Sequence, residues 1–174
     1  IYKKDNYAVF AGAGLIAGGG SVDYKDGVPM MVLKGLSIPL PDTLLYQSGN
    51  LKGSSLYYFG SAGGSYALNE TLSVSLTARF VYAEKTFKGE ANYVAPGHGY
   101  APMTLEVDAE KTAKGIGGII GVTYKKDAMI LAARFETPTR LNFKTKVNDD
   151  KSFNDTFVDG SKQRYDLPAM IGLG

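Results

Sequence analysis

The chain has 174 residues, of which 19 are Lys or Arg and 17 are Asp or Glu, so its formal charge is +2. The basic residues are dispersed among acidic ones, which gives no reason to expect a nucleic-acid partner. The chain contains no Cys, which excludes disulfides, thiolate metal sites and a Cys nucleophile. It begins at Ile1 without Met or a signal peptide, so we expect it to be part of a longer product.

The hydrophobic pattern has a period of two rather than that of a helix. The longest uncharged stretches, 6–22 and 53–69, are shorter than the roughly 20 apolar residues of a membrane-spanning helix, and Gly interrupts both. From Leu72 onward, apolar residues alternate with small polar residues, which indicates a two-sided strand. The same alternation predicts strands over about 6–24, 55–68, 72–87, 112–124, 128–146 and 164–174.

The connections alternate between short and long. Tight polar turns are predicted at 4–6, 69–70 and 125–127, and long loops at about 25–54, 87–112 and 147–163. Tyr7, Tyr66 and Tyr124 lie beside the short turns, where an aromatic girdle would contact the membrane interface. This pattern favours a transmembrane antiparallel up-and-down β-barrel in the all-β class. A soluble β-sandwich is the alternative, since it also shows alternating strands.

About six predicted strands are too few for a closed bacterial barrel, which needs at least about eight. An open sheet edge in lipid would leave backbone N–H and C=O groups without hydrogen-bond partners, at a cost on the order of several kcal/mol each. We therefore expect residues 1–174 to be a partial barrel domain, completed by further strands of the same product or by other chains.

The chain resembles the FadL-type family of outer-membrane transporters for long-chain fatty acids and other hydrophobic compounds, in the form seen in Bacteroidetes-like bacteria. The similarity covers nearly the whole chain as a series of segments in the same order and spacing. These segments are Gly20-Ser21-Val22-Asp23-Tyr24, Gly27-Val28-Pro29, Ser65-Tyr66-Ala67-Leu68-Asn69-Glu70 with the strand at 73–82, the strand at 115–124, Leu141-Asn142-Phe143-Lys144-Thr145-Lys146-Val147, Phe157-Val158-Asp159-Gly160 and Tyr165-Asp166-Leu167-Pro168-Ala169.

The resemblance implies a fourteen-stranded barrel in which this chain supplies the third to eighth strands. It implies an N-terminal hatch before Ile1 and six further strands after Gly174. It also implies an integral protein of the bacterial outer membrane that contacts outer-membrane lipid, binds a hydrophobic small molecule such as a fatty acid, and releases it through the barrel wall. An accessory or structural subunit that contacts other envelope proteins is the alternative.

Three groups of residues are candidates for ligand handling. Arg79, Arg134 and Arg140 project from the polar face of their strands, together with Glu136 and Lys144. In a barrel these cations either form a structural ion-pair ladder with Glu136 or guide a carboxylate head group inward.

Gly18, Gly19 and Gly20 interrupt the first long strand, and glycines inside a strand mark a bulge, a bend or a close approach. In the resembled family the matching strand carries an inward kink that opens the wall sideways. These glycines are therefore candidates for a lateral gate, and the alternative is that they only let the strand curve.

The apolar segments 28–33, 38–40 and 44–46 are too hydrophobic for a free loop, so they either pack on something or bind a ligand. In the resembled family the external ligand groove lies between two later loops, here 87–105 and 147–163. The apolar candidates in that groove are Phe87, Tyr93, Tyr100, Met103 and Leu105.

No catalytic constellation is predicted. His98 is the single His and lies in a long loop without a nominated nucleophile or orienting acid. Asp149, Asp150, Asp155 and Asp159 lack the spacing of a calcium loop, so a solvated loop surface is the better interpretation. We therefore expect a passive transporter without enzymatic activity, metal or cofactor.

Overall fold

The computed structural model describes residues 1–36, 44–95, 101–151 and 157–174. It confirms an all-β chain in which the strands run antiparallel in up-and-down order. The strands are β1 (Tyr2–Lys4), β2 (Tyr7–Tyr24), β3 (Leu45–Ala67), β4 (Leu72–Val94), β5 (Met103–Lys126), β6 (Met129–Glu136), β7 (Asn142–Asp150), β8 (Lys162–Arg164) and β9 (Met170–Leu173). They form one sheet in the order β1-β2-β3-β4-β5-β6-β9, and β7 pairs with β5 and β8.

One helix, α1 (Pro29–Leu36), lies between β2 and β3. Pro29 suits the first helical position because its missing N–H would have no partner there. The described residues contain no helix that is both long and apolar enough to cross a membrane.

The short connections owe their shape to acidic and amide side chains. Asp5 and Asp127 adopt positive φ angles of 48° and 54°, which Asp tolerates better than most residues. In the third short connection the Asn69 side chain accepts hydrogen bonds from the backbone N–H groups of Thr71 and Leu72. These three turns coincide with the tight turns that the sequence predicts.

The central strands are longer than the alternation of one apolar face predicts. The sequence places a loop over 87–112, but β4 continues to Val94 and β5 begins at Met103. The two strands pair without a register shift from Leu72 opposite Tyr124 to Tyr93 opposite Met103. Every second residue therefore stays on the same face over the whole length of the hairpin.

The apolar face of this hairpin changes sides at Tyr82. We call the face that carries Leu76 and Phe80 the outer face and the opposite face the inner face, and 'below' means toward the turn at Asn69. Below Tyr82, the outer face carries exposed Leu76, Phe80 and Ile116, whereas Thr77 and Arg79 lie buried on the inner face. Above it, the outer face carries a charged series and the inner face becomes apolar and buried. The charged outer series is Glu84, Lys88 and Glu90 on β4 with Glu106, Asp108 and Glu110 on β5, and the buried inner series is Ala83, Ala91, Tyr93, Leu105, Ala109 and Ala113.

The strand predicted over 128–146 is two strands with an irregular segment between them. Six residues of β5, 113–118, separate the part that pairs with β7 from the part that pairs with β6. Seven residues, 137–143, separate the paired part of β6 from the paired part of β7. The one extra residue reverses which side chains point inward. In one continuous strand over 128–146, Leu141 and Phe143 would share a face with Phe135, but both are fully buried on the inner face while Phe135 is exposed.

Two prolines interrupt the ladder at this break. Pro138 lies in the irregular segment and Pro168 in the neighbouring stretch before β9, and neither has an N–H to donate. Thr139 and Leu167 still exchange two backbone hydrogen bonds of 3.0 and 2.9 Å, so the two stretches lie side by side and antiparallel. In the described pairings of β5 with β6 and β7, residues 113–117 have no partner.

The segment at the break folds over two glycines of β5. A Cβ atom at Gly115 would lie 2.5 Å from the Arg140 carbonyl oxygen, and one at Gly117 would lie 2.4 Å from Thr139 Oγ1. Both contacts are too close for any side chain. Glycine at these positions is therefore what allows 137–141 to lie directly on the inner face of β5.

Candidate functional site: the inner face of the sheet

Two lysines lie directly opposite each other in the middle of the apolar inner face. Lys85 on β4 pairs with Lys111 on β5, and the same row continues to Ser55 on β3 and Thr145 on β7. We call Ser55, Lys85, Lys111 and Thr145 the lysine row. Like charges placed directly opposite in an antiparallel pair destabilise it, so this row needs a compensating interaction.

Aromatic rings surround the Lys85 ammonium. Its Nζ lies 4.7 Å from the ring centre of Tyr165, 5.0 Å from that of Phe143 and 5.8 Å from that of Tyr57. Phe143 makes edge-to-face contacts with both tyrosines. Each of the three rings attracts the Lys85 ammonium through its negative face, and this attraction partly replaces the hydration that Lys85 loses.

Lys111 is held in a similar way. Its Nζ donates a 2.7 Å hydrogen bond to Gln163 Oε1 and lies 5.2 Å from the ring centre of Phe157. Burial lowers the pKa of Lys111, and the neighbouring Lys85 charge lowers it further. Among the described residues, no carboxylate forms an ion pair with either lysine.

Directly below the lysine row, the inner face is closed by a packed apolar layer. Val81, Ala83, Ala113, Leu141 and Phe143 form a buried cluster there, and we call it the collar. Four further apolar side chains pack against it, namely Ile16, Tyr57, Phe59 and Leu167. The collar exists because the extra residue in 137–143 turns Leu141 and Phe143 toward the inner face.

Directly above the lysine row, the apolar surface stays accessible. Leu51, Phe87, Val107, Val147 and Phe157 are half-buried there, and we call this surface the ledge. The rings of Phe87 and Phe157 are 5.5 Å apart. A Cβ atom at Gly89 would lie 3.1 Å from the Leu51 side chain, so the absence of a side chain at Gly89 makes space for Leu51.

Below the collar lies a buried ion pair. Arg79 Nη1 donates a 2.6 Å hydrogen bond to Glu136 Oε2, and their side chains are only 6% and 2% exposed. Arg134 contacts the other oxygen of Glu136 at 2.5 Å from a position that is 61% exposed. Nε and Nη2 of Arg79 and Oγ1 of Thr139 are buried without a described hydrogen-bond partner.

The structure separates the three arginines that the sequence groups together. Arg79 and Arg134 share Glu136, as the ion-pair alternative predicts. The prediction that Arg140 and Lys144 lie on the same face as Arg134 is wrong, because the extra residue at 137–143 reverses their direction. Both are exposed, while their neighbours Thr139, Leu141 and Phe143 are buried on the inner face.

The predicted groove residues do not form one open site. Tyr93 and Leu105 are buried in a cluster with Leu44, Ala91 and Ala95, against which Met103 packs. The Tyr93 hydroxyl donates a 2.7 Å hydrogen bond to the Met31 carbonyl of α1, and burial raises its pKa. Phe87 lies apart from this cluster on the ledge, and Tyr100 lies outside the described residues.

The apolar segment 28–33 forms the first turns of α1, in which Met31 packs at the top of β3 and β4 while Met30, Val32 and Leu33 are exposed. Met31 and Tyr46 contact the buried cluster around Tyr93. A depression of about 530 Å³ remains beside the helix, lined by Asp26, Gly27, Val28, Pro29, Val32, Leu33 and Tyr46. Segment 38–40 lies outside the described residues.

Gly18, Gly19 and Gly20 form a bulge in β2. Gly18 pairs with Leu56 and Gly20 with Ser55, so Gly19 is the extra residue and the ladder continues on both sides. Gly18 and Gly19 have φ angles of 83° and 89°. A Cβ at Gly18 would lie 2.1 Å from the Ser55 carbonyl oxygen, whereas one at Gly20 would meet nothing.

Replacing Gly18 with Ala is therefore expected to destabilise the full-length protein by about 1–3 kcal/mol, because it combines backbone strain with a steric clash. Urea unfolding measures this change. The Gly20→Ala variant is the matched control and should change stability by less than about 0.5 kcal/mol. Equal stability of the two variants would contradict the described bulge.

The acidic residues of the predicted loop 147–163 stabilise the loop itself. Asp159 accepts a 2.9 Å hydrogen bond from the Val147 backbone and Asp150 accepts one of 3.1 Å from the Phe157 backbone. In the described part of the chain, no three His, Asp or Glu side chains could hold a metal ion together. His98 and Asp155 lie outside the described residues.

Sequence reasoning missed Lys85 and Lys111. The alternation of β4 continues through Arg79, Val81, Ala83 and Lys85, but only the pairing of β4 with β5 places Lys111 opposite Lys85.

Comparisons of this chain with protein-family models, with curated proteins and with solved structures found no match.

Proposed function

We propose that this chain forms part of the wall of an outer-membrane β-barrel that takes up hydrophobic small molecules, above all long-chain fatty acids, by passive diffusion. The observation that carries the proposal is the change of apolar face at Tyr82. Below this level the sheet offers its apolar side chains outward, and above it the apolar side chains point inward. Lipid that surrounds the lower half and a hydrophobic ligand that lies inside the upper half would account for these two orientations of the apolar side chains.

The height of the outer apolar band supports a membrane location. It runs along β4 over residues 72–82, and ten steps of about 3.4 Å at a tilt of about 45° span roughly 24 Å. A barrel in the outer membrane has an apolar band about 25 Å tall. Phe80, Leu131 and Ile171 are 46%, 52% and 76% exposed in this band.

Aromatic residues flank the band at both ends. Tyr7 lies opposite Tyr66 near the short turns, and Tyr58 lies opposite Tyr82 at the upper edge, with ring centres 6.3 Å apart. Tyrosine is favoured at these levels because its ring is apolar while its hydroxyl remains in water. A soluble sandwich would instead need a second sheet to cover the exposed band.

Release of the ligand into the membrane requires an interruption of the wall. The break beside 113–117 supplies one at the height of Ile116, which is 74% exposed in the upper part of the outer band, opposite Phe80. Unpaired backbone at this depth is tolerated where it is covered by protein or faces a cavity. We propose this break as a second candidate for lateral release beside Gly18, Gly19 and Gly20.

Uptake of a radiolabelled long-chain fatty acid tests the proposal. The full-length protein is expressed in a Gram-negative host that lacks its own long-chain fatty-acid importer, and its outer-membrane location is verified by fractionation. Uptake should rise above that of the empty-vector host and should persist when the outer membrane is studied in isolated vesicles without an energy source. A correctly located, folded protein that gives no uptake contradicts the proposal.

Two adjacent residues of β5 provide a matched pair of variants. Val107→Trp places a bulky ring on the ledge and should reduce uptake several-fold, whereas Glu106→Trp places the same ring on the outer face and should leave it unchanged. Equal uptake by both variants would show that the inner face does not carry the ligand.

The accessory-subunit alternative has one observation in its favour. Met30 and Leu33 of α1 are 70% and 57% exposed at the top of the sheet. A stable contact with another envelope protein would bury about 1,000 Å² or more. Co-purification of the full-length protein in a defined complex, combined with absence of uptake, would favour this alternative.

A further inference from the structure

We propose that Lys85 and Lys111 bind the carboxylate head group of an amphiphilic ligand whose hydrocarbon chain lies upward along the ledge. The inference rests on the proposed function, because it assigns a ligand class and an orientation to the inner face. It differs from the expectation that Arg79, Arg134 and Arg140 receive the head group. Arg79 and Arg134 share the Glu136 carboxylate below the collar, and Arg140 is exposed on the other face.

The charge of the lysine row is the first argument. Lys85 and Lys111 lie directly opposite each other, and their described contacts are aromatic rings and the Gln163 amide oxygen. An ammonium group has three donors, and Lys111 uses one of them on Gln163. A carboxylate between the two ammonium groups would relieve their repulsion and accept several charge-assisted hydrogen bonds.

The surroundings of the row are the second argument. The rings of Tyr57, Phe143 and Tyr165 exclude water from one side of Lys85, so an ion pair there is stronger than one in bulk water. Their attraction to the cation is only about 0.5–2 kcal/mol, and it does not cancel the charge. The row therefore keeps a positive potential between the apolar collar and the ledge. On the same face, Asp150 lies opposite Val107 and accepts a hydrogen bond from the Phe157 backbone.

The layers above and below the row decide the direction of the chain. The collar is packed, since Val81, Leu141 and Phe143 are each 0% exposed, so it leaves no space for a ligand. The ledge is half-buried and continues upward over Leu51, Phe87 and Val107. An extended hydrocarbon chain would thus lie above its head group, and the collar would form the floor of the site.

Binding of three ligands with the same chain length tests the site in the purified full-length protein. The ligands are a fatty acid, an alkyl phosphate and a fatty alcohol. The K85Q/K111Q double variant should bind the fatty acid about tenfold to a hundredfold more weakly, since it loses charged hydrogen bonds, and should bind the alcohol within about twofold of the parent. The K88Q/K114Q variant is the control, because both lysines lie on the outer face of the same strands, and it should bind all three ligands as the parent does.

Each other outcome overturns a defined part of the inference. Unchanged binding of the fatty acid in the double variant, or an equal loss for acid and alcohol, removes the lysine site while uptake by the parent leaves the proposed function intact. Lysine-dependent binding of the phosphate but not of the fatty acid replaces the carboxylate assignment by a phosphate one. No uptake and no binding of any of the ligands by the folded parent removes the proposed function itself. Urea unfolding of each variant identifies any that fails to fold, and single K85Q and K111Q variants then replace the double one.

Discussion

Replacement of Glu136 with Ala is expected to lower the free energy of unfolding by about 3–5 kcal/mol, because it breaks a buried ion pair by removing one partner. The Arg79 side chain is 6% exposed and depends on Glu136 for its one described ion pair. Without that carboxylate, a buried guanidinium would keep its charge without a partner. Urea unfolding of the full-length protein in lipid vesicles measures the change.

Arg134 provides the control for this prediction. It contacts the same carboxylate but is 61% exposed, so Arg134→Ala should cost no more than about 1 kcal/mol. The double substitution Arg79→Met with Glu136→Leu should recover most of the stability lost in Glu136→Ala, because it removes both buried charges. A loss below about 1 kcal/mol in Glu136→Ala would show that water reaches the pair.

Replacement of Leu76 with Arg is expected to cost about 2–4 kcal/mol if the outer band contacts hydrocarbon, because that is the cost of an arginine near the bilayer midplane. Leu76 is 65% exposed in the middle of the band and lies opposite Ile120. In water an exposed Leu can be replaced by Arg at almost no cost, within about 0.5 kcal/mol. The same vesicle unfolding experiment therefore distinguishes a membrane sheet from a soluble one.

Thr86→Arg is the matched substitution for Leu76→Arg. Thr86 lies on the same outer face, above the level of Tyr82 and opposite Glu110. There the arginine would meet water and a carboxylate, and the substitution removes only the 2.8 Å hydrogen bond between Thr86 and Ser54, so stability should fall by no more than about 1 kcal/mol. Similar effects of the two substitutions would contradict the assignment of the band to the membrane.

The parts of the fold that follow from local alternation could be predicted from the sequence. The period of two along 72–82, the polar turns at Asp5, Asn69 and Asp127, and the antiparallel order all depend on neighbouring residues. The alternation along 72–82 predicts that Leu76 and Phe80 share a face, and both are exposed on one face in the structure.

The upper halves of β4 and β5 could not be predicted in the same way. Their apolar residues Ala83, Ala91 and Tyr93 alternate with charged ones, but on the side opposite to that of the lower half. A prediction that follows only one apolar face ends where the faces exchange, which is why 87–112 was assigned to a loop. The exchange depends on what surrounds each half of the sheet, and no local preference specifies it.

The break between β6 and β7 was missed for a different reason. Pro138 marks an interruption, but it does not reveal how many residues the opposite strand contributes. The direction of Arg140 and Phe143 depends on the count of six residues against seven, which is known only once β5 is paired with both strands. The lysine row was missed for the same reason, since Lys111 meets Lys85 only through the pairing of the two long strands.

The odd residue in the connection between β6 and β7 makes chain length there more important than side-chain chemistry. The two strands lie on one edge of β5 but are out of phase with each other. Deletion of Pro138 would leave six residues opposite the six of β5, so β7 could keep its pairing with β5 and Phe143 its inward direction. A single lost codon could therefore seal the interruption of the ladder without disturbing the aromatic floor beneath Lys85.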